Sequence, residues 1–352
     1  MRSIKMFTLF LMVLAVLLMT ACGNNSAGGK TDTETAGGAE TSGEIEYGPY
    51  CGSECQEALK LEADPASIKG KVGFAVASTT FPYGVAIKNK TEEAAKKFFP
   101  NIELLVGDGQ NDPIVQTRLV DDFISKGIDV LIINAVEKDA LAPAVKRATE
   151  AGIKVISVDR TVNAPVLTTI KADDYELGNA AGKDLVQRLG GKGKVVELQG
   201  SPSASPTIDR NRGFMDAIKG EDGIEVIASQ AANYDQAQGL KVMEDMLQRF
   251  PKGKIDAVFT HADVMTLGAL QAIKAAGRED EIQVISIDGQ EAAFDAIEKG
   301  VIESTTVYPV ITPMNIIAAA KALAGEEIPE FIKLESPVVS KENLSEYKGT
   351  TY

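Results

Sequence analysis

The chain has 352 residues, 44% of them hydrophobic, and a formal net charge of −14 at pH 7. This length predicts two or more domains, and the apolar content is enough for a sizeable core. The acidic surface disfavours nucleic acid and anionic lipid headgroups as partners, but it does not disfavour a small neutral ligand.

The first segment is typical of an export signal. Arg2 and Lys5 precede an apolar run at 6–19, and small residues follow in "TACG". This pattern predicts a signal peptide over residues 1–21. A permanent membrane helix is the weaker alternative, because the run is shorter than the ~20 residues that a spanning helix needs.

The stretch "LLMTAC" resembles a bacterial lipobox, in which the cysteine is lipidated and becomes the mature N-terminus. The resemblance implies that Cys22 anchors the protein to the outer face of the cell membrane, with a plain secreted protein as the alternative. Gly, Ser, Thr and acidic residues dominate positions 23–46, a composition that cannot bury enough apolar surface to fold. We therefore expect residues 22–69 to form a lipid-anchored flexible tether.

Two cysteines lie in this tether, in the sequence "CGSEC". In an exported protein the short spacing favours a structural disulfide between Cys51 and Cys55, with two free thiols as the alternative. A redox site would need a C-x-x-C spacing. A zinc site is poorly supported because His261 is the only histidine.

From Lys71 onwards, short β-branched runs alternate with amphipathic stretches, and the alternation restarts after "VLTTI" at 166–170. Such alternation predicts parallel sheets covered by helices on both faces. We expect two α/β lobes of Rossmann-like layout, joined by short hinge strands near 171–174 and 304–309. The predicted helices cover about 83–98, 113–126, 139–151, 174–189, 207–219, 236–249, 263–276, 290–299 and 312–324.

Polar and aromatic residues follow almost every predicted strand. Ligands bind beyond the carboxyl ends of the strands in open parallel sheets, so these residues predict a cleft rich in hydrogen-bonding groups and rings. The candidates are Ser78, Phe81, Tyr83, Asn134, Asp159, Arg160, Tyr234, His261 and Asp288. Such a set suits a polyol, since carboxylates and guanidinium groups form charge-assisted hydrogen bonds with hydroxyls.

Simpler roles compete with ligand binding for several of these residues. Asp173, Asp174, Asp235 and Asp263 stand at predicted helix starts, where they can act as caps. Asn134 can serve as a loop amide, and the rings can simply cover the core. Asp159 and Asp288 are harder to explain in this way, because an acid at the end of a buried strand is costly unless it is partnered.

Signals for catalysis or cofactor binding are weak. "SPSASP" lacks the glycines of a nucleophile elbow, "GGKGK" (190–194) lies between a helix and a strand rather than between a strand and a helix, and "GDGQND" (107–112) lacks a third glycine. We therefore expect a protein that is not an enzyme and that needs no cofactor or metal.

The motifs in their order resemble the periplasmic sugar-binding proteins of the ribose/galactofuranose type. They are "KVGFAVASTTFPYGVAIKNKTEEAAKK", "VISVDR", "GKVVELQGSPSASPTIDRNRGFMDAI", "VFTHADVMTLGALQAIKAAG" and "VISIDG", and the similarity covers about 70–340. The resemblance implies the type I periplasmic binding protein fold and the role of a substrate receptor of an ABC importer. We expect a first lobe of 70–172 plus 309–335 and a second lobe of 173–308 plus 336–352.

The resemblance also carries roles onto individual positions. It implies sugar contacts at Ser78, Tyr83, Asn134, Asp159, Arg160, Arg210, Tyr234 and Asp288, and it places Asp173 at a position that faces the ligand. The chain departs from the ribose pattern at three places. Gly84 stands where the pattern has a second aromatic ring, and Tyr308 stands where it has a glutamine. Ala262 replaces an asparagine, and we expect His261 to take over the contact of the lost amide.

These departures argue against ribose itself and leave the sugar open among pentoses, hexoses and furanose forms. The expected partners are this sugar and an ABC permease, with the protein itself a monomer. The alternative role is a receptor that presents a sugar-like signal, such as an autoinducer or polyol, to a membrane sensor kinase.

Overall fold

The computed structural model of the protein describes residues 45–352. The predicted signal peptide, Cys22 and most of the polar segment after it lie outside the described residues. Within 45–352, no helix is both long enough and apolar enough to cross a membrane.

Helices and strands alternate through most of the described chain. The helices are α1 (Ser53–Leu59), α2 (Pro82–Phe98), α3 (Pro113–Ser125), α4 (Ala142–Glu150), α5 (Asp174–Leu189), α6 (Ser205–Ile218), α7 (Gln236–Arg249), α8 (Asp263–Ala275), α9 (Glu291–Glu298), α10 (Met314–Ala324) and α11 (Leu344–Tyr347). The strands are β1 (Gly70–Val76), β2 (Ile102–Asp108), β3 (Val130–Ile133), β4 (Lys154–Val158), β5 (Thr168–Ala172), β6 (Lys192–Gln199), β7 (Gly223–Ala231), β8 (Ala257–Thr260), β9 (Gln283–Asp288), β10 (Ser304–Val307), β11 (Phe331–Leu334) and β12 (Val338–Ser340).

The strands form two six-stranded sheets. The first has the order β11-β5-β4-β3-β1-β2 with every pair parallel. The second has the order β12-β10-β9-β8-β6-β7, parallel except where β12 runs antiparallel to β10. We call the parts of the chain built on these sheets the first and the second lobe. The predicted α/β fold class, with two parallel-sheet lobes covered by helices, is confirmed.

Local sequence explains where several helices begin and end. Asp112 caps α3 by accepting hydrogen bonds from the backbone amides of Ile114 and Val115, and Pro113 occupies the first helical position. Gly190 ends α5 in the left-handed conformation, which glycine adopts without a steric penalty.

The chain passes between the lobes at three places: from β5 to α5, from β10 to α10, and from β11 to β12. The largest hydrophobic cluster includes Phe74 and Ile132 from the first sheet, Phe259 from the second sheet and Phe214 from α6 of the second lobe. The apolar core is therefore continuous between the two lobes.

The segment before β1 differs from the expected tether. Cys51 and Cys55 are joined in a disulfide, and both are buried together with Leu59 against the first lobe. Tyr50 stacks on Tyr347, with ring centroids 6.5 Å apart. The prediction of a flexible tether as far as residue 69 is therefore wrong for residues 50–69, because this stretch has enough apolar side chains to dock on the folded domain.

Candidate functional site

A cavity lies between the two lobes at the carboxyl ends of their strands. The space between its walls amounts to about 580 Å³, part of which is open to solvent. Its walls contain Ala77, Ser78, Phe81, Pro82, Tyr83, Gly84, Asn134, Asp159, Arg160, Pro206, Arg210, Tyr234, Ala262, Val264, Asp288, Gln290 and Tyr308.

The first lobe contributes an acid and a base from the end of β4. Asp159 adopts a positive φ of 62°, which is uncommon for a residue other than glycine and turns the chain abruptly at the strand end. The side-chain amide of Asn134 donates to Asp159 Oδ2 at 2.6 Å, and Arg160 Nε lies 3.7 Å from the same oxygen. Burial raises the pKa of Asp159, while the Arg160 guanidinium opposes the rise.

The second lobe contributes Arg210 from α6 and Asp288 from the end of β9. Arg210 Nε donates to Asp174 Oδ1 at 2.9 Å, and Arg210 Nη1 lies 3.2 Å from Asp288 Oδ1. Arg210 Nη1 also donates to the backbone carbonyl of His261 at 2.5 Å. Burial alone would lower the pKa of Arg210, but the carboxylates of Asp174 and Asp288 outweigh it and hold the pKa well above its ordinary value.

Asp288 also lies near another buried acid, Asp263. The Asp263 carboxylate accepts hydrogen bonds from the hydroxyls of Ser286 and Thr305 and from the backbone amide of Gln290. Burial raises the pKa of both carboxyls, and for Asp288 the negative charge of Asp263 raises it further. Asp288 adopts a φ of 126°, so acids in positive-φ conformations end the corresponding strands of both lobes.

Several aromatic rings also line the cavity. The Tyr308 hydroxyl donates to the backbone carbonyl of Asp159 at 3.2 Å and so connects the two lobes. The Tyr308 ring lies 5.6 Å from the Tyr83 ring in an edge-to-face arrangement and 5.1 Å from the Arg210 guanidinium carbon. The Tyr234 hydroxyl is 2.8 Å from Thr207 Oγ1, which fixes the Tyr234 ring beneath Arg160.

Gly84 has a steric reason to replace a bulky residue. A Cβ atom at this position would lie 1.7 Å from the backbone carbonyl oxygen of Ser78. With this course of the β1–α2 loop, no side chain fits at residue 84. The loop instead lines the cavity with Phe81, Pro82 and Tyr83.

Most of the residues singled out in the sequence lie together in this cavity. They are Ser78, Phe81, Tyr83, Asn134, Asp159, Arg160, Arg210, Tyr234, Asp288 and Tyr308.

Two predicted residues, Asp173 and His261, do not line the cavity. Asp173 caps α5 by accepting from the backbone amides of Tyr175 and Glu176. The His261 ring is fully buried, with Nε2 2.8 Å from Glu197 Oε1, so it points into the second lobe and cannot replace an amide at Ala262. His261 acts on the site only through its carbonyl, which positions Arg210.

Besides Gly84 and Ala262, five wall residues were not among the predicted site residues: Ala77, Pro82, Pro206, Val264 and Gln290. Gln290 directly follows Asp288-Gly289 at the end of β9, so the rule that strand ends carry ligand groups was sufficient to find it. Pro206 and Val264 lie in the first turns of α6 and α8. Their apolar side chains carry no signal that separates a cavity wall from a core.

Within residues 45–352, no group of three or more His, Cys, Asp or Glu side chains is arranged to hold a metal ion. The cavity instead combines two arginines, two carboxyls and several hydroxyl-bearing rings. This set of donors and acceptors suits the hydroxyl groups of a polyol.

Comparison with known proteins identifies the family. The model of the periplasmic binding protein domain matches residues 72–326. The chain belongs to the periplasmic binding protein family. The ribose import binding protein of Bacillus subtilis (strain 168) is 34% identical over 264 residues, covering 74% of this chain and 84% of that protein.

Solved structures agree with this assignment. A galactofuranose binding protein superposes with a TM-score of 0.75 at 30% identity, covering 78% of this chain and 96% of that one. The fructose binding periplasmic domain of a hybrid two-component system gives a TM-score of 0.75 at 30% identity, covering 79% of this chain and 93% of that one. The resemblance to periplasmic sugar-binding proteins is therefore confirmed, and membership of this family implies a location outside the cytoplasm.

Proposed function

We propose that this periplasmic binding protein is the substrate-binding component of an ABC importer. The protein binds a monosaccharide between its two lobes and delivers it to a membrane permease. The observation that carries the proposal is the placement of Asp159 and Arg160 from one lobe and Arg210 and Asp288 from the other around a single cavity. The similarity to the ribose import binding protein of Bacillus subtilis supports the transport role.

Both lobes would contact one bound sugar molecule. Carboxylates and guanidinium groups give charge-assisted hydrogen bonds to hydroxyls, and the rings of Phe81, Tyr83, Tyr234 and Tyr308 offer flat faces to the C–H side of a sugar. Because these polar groups are buried, their desolvation is offset only when each is partnered, which favours a ligand with several hydroxyls. The protein would bind and release the sugar without changing it.

The location of the protein follows from the same proposal. The lobes would comprise 70–172 plus 309–335 and 173–308 plus 336–352, and lipidated Cys22 would hold them at the outer face of the membrane. A monomer on such an anchor could deliver its ligand directly to the permease.

A second candidate function uses the same sugar-binding site for signalling rather than for transport. The chain is similar to the fructose binding domain of a hybrid two-component system, which favours a receptor that reports a sugar to a sensor kinase. Neighbouring genes distinguish the two functions, since a permease and an ATPase indicate import and a kinase indicates sensing.

A thermal-shift screen tests the sugar-binding site. D-Ribose, L-arabinose, D-galactose, D-fructose and myo-inositol would each be added to the purified protein at millimolar concentration. A ligand at 100 times its dissociation constant should stabilise the fold by about 2.7 kcal/mol and raise the unfolding temperature. If none of the monosaccharides or polyols, in the furanose or pyranose form, raises the unfolding temperature, the proposal is contradicted.

A further inference from the structure

The last residues of the chain lie beside the cavity without lining it. Thr351 and Tyr352 are attached to the second lobe at the start of α9: the Tyr352 carbonyl accepts from the Glu291 amide at 2.9 Å, and the Thr351 hydroxyl donates to the Gly289 carbonyl. Glu291 Oε1 also accepts from the Gly349 amide at 2.8 Å. These bonds hold the C-terminal tail (residues 347–352) against the segment that contains Asp288 and Gln290, two wall residues of the cavity.

From this attachment the tail contacts the first lobe. Lys90 Nζ on α2 donates to the Thr351 carbonyl at 2.7 Å. The Tyr352 ring lies 5.8 Å from the Tyr83 ring, in an edge-to-face geometry with an interplanar angle of 75°. The tail therefore joins the second lobe to the helix of the first lobe that carries Tyr83.

Tyr83 stands between two other tyrosines. Tyr308 meets one side of its ring at 5.6 Å and Tyr352 meets another at 5.8 Å, both edge to face. Edge-to-face aromatic pairs are favourable beyond the area that they bury. Of these two neighbours, Tyr308 lines the cavity and Tyr352 stands behind the wall.

We propose that Tyr352 is a specificity-determining positioning residue, which sets the depth of the sugar cavity by supporting the Tyr83 ring from behind when the lobes are together. The inference rests on the proposed sugar-binding function. The ring carries the effect, because the buried Tyr352 hydroxyl has no hydrogen-bond partner among residues 45–352.

Removing the ring should change which sugars fit. In Tyr352→Ala, Tyr83 can move back into the vacated space, so the cavity becomes deeper and holds a small sugar less firmly. The affinity for the tightest-binding pentose should fall by about tenfold, while a hexose should lose less or gain, so the pentose-to-hexose affinity ratio should fall. Tyr352→Phe keeps the ring and should preserve both affinities.

Calorimetric titration of D-ribose, L-arabinose, D-galactose and D-fructose into each variant measures this ratio. Tyr347→Ala is the matched control, because Tyr347 belongs to the same tail region but stacks on Tyr50 rather than on Tyr83. It should lower stability and leave the ratio unchanged. If Tyr352→Ala does not fold, Tyr352→Leu keeps apolar bulk without a flat ring and should shift the ratio in the same direction.

The outcomes separate this inference from the function on which it rests. A ratio that is unchanged in Tyr352→Ala, or changed equally in Tyr347→Ala, would overturn the positioning role while sugar binding stands. A wild-type protein that binds none of the sugars would overturn the proposed function and the inference with it.

Discussion

At the scale of single residues, Arg210 and Asp288 show how the site holds charges away from water. Arg210 is in contact with Asp174 through Nε and with Asp288 and the His261 carbonyl through Nη1, so three of its five N–H groups are used in these contacts. Asp288 has fewer partners and shares its surroundings with Asp263. A sugar hydroxyl that donates to Asp288 would supply a partner that the protein alone does not provide.

The acidic pair predicts a dependence of stability on pH. Burial raises the pKa of Asp288 in the folded protein, so the folded state keeps a proton that the unfolded chain releases above its ordinary pKa of about 4. The free energy of unfolding contributed by this group is greatest at low pH and falls as pH rises from about 4 through the raised folded-state pKa. Asp288→Asn cannot release this proton and should show a shallower fall.

Urea unfolding at intervals from about pH 5 to about pH 8 measures the slope. The exposed Asp245 supplies the control, because Asp245→Asn removes a surface carboxyl and should keep the wild-type slope. Equal slopes in Asp288→Asn and the wild type would show that the pKa of this carboxyl is not raised in the folded protein.

At the scale of helices and strands, the segment before β1 behaves as part of the domain. Tyr50 packs with second-lobe residues, and its hydroxyl lies 2.6 Å from Thr350 Oγ1, whereas Cys51, Cys55 and Leu59 pack on the first lobe. The Tyr50 carbonyl accepts from the Glu335 amide at 2.9 Å, in the crossing between β11 and β12. The disulfide thus closes a short loop on the first lobe, directly after Tyr50, which contacts the second lobe.

Removal of the disulfide should destabilise the protein by about 2 kcal/mol, the loop-closure entropy expected for a five-residue ring. The double variant Cys51→Ser/Cys55→Ser should therefore unfold at a lower temperature than the wild type. Dithiothreitol should lower the wild-type temperature to that of the variant and leave the variant unchanged. A wild-type unfolding temperature that does not change with dithiothreitol and equals that of the variant would contradict a stabilising role of the disulfide.

The order of strands and helices could be predicted from sequence because most of these elements carry a clear local pattern. α5 and α7, for example, follow capping aspartates, and four-residue strands such as β3 are entirely apolar and buried. The short elements α1, α11, β11 and β12 were not predicted. Each has seven residues or fewer and is fixed by tertiary contacts, so it leaves little local pattern.

The candidate site was predictable for a similar reason. Polar residues at strand ends indicated Asn134, Asp159 and Asp288, since parallel strands bring their carboxyl ends to one edge. The orientation of a side chain was not predictable: His261 follows β8 just as Asp288 ends β9, but its ring turns inward to Glu197. That choice depends on a buried acceptor 64 residues away in sequence, which no local pattern reveals.

At the scale of the whole molecule, binding depends on two lobes meeting around one ligand. The Tyr308 hydroxyl bond to Asp159 and the Lys90 bond to Thr351 both connect the lobes close to the cavity. Such bonds can form only when the lobes are together, and a sugar that contacts both lobes favours the same arrangement. Substitution of a ligand-contacting residue in either lobe should therefore lower the affinity for the sugar.

Calorimetric titration of a stabilising sugar into the wild type and Arg160→Ala tests whether the ligand binds between the lobes, with Arg147→Ala as a control that removes an exposed arginine paired with Asp121. We expect an affinity of about micromolar, roughly −8 kcal/mol, for the wild type and the control. Arg160→Ala should lose about 2–4 kcal/mol, because a buried carboxylate or sugar hydroxyl is left without its partner. An unchanged affinity in Arg160→Ala would contradict the assignment of the site.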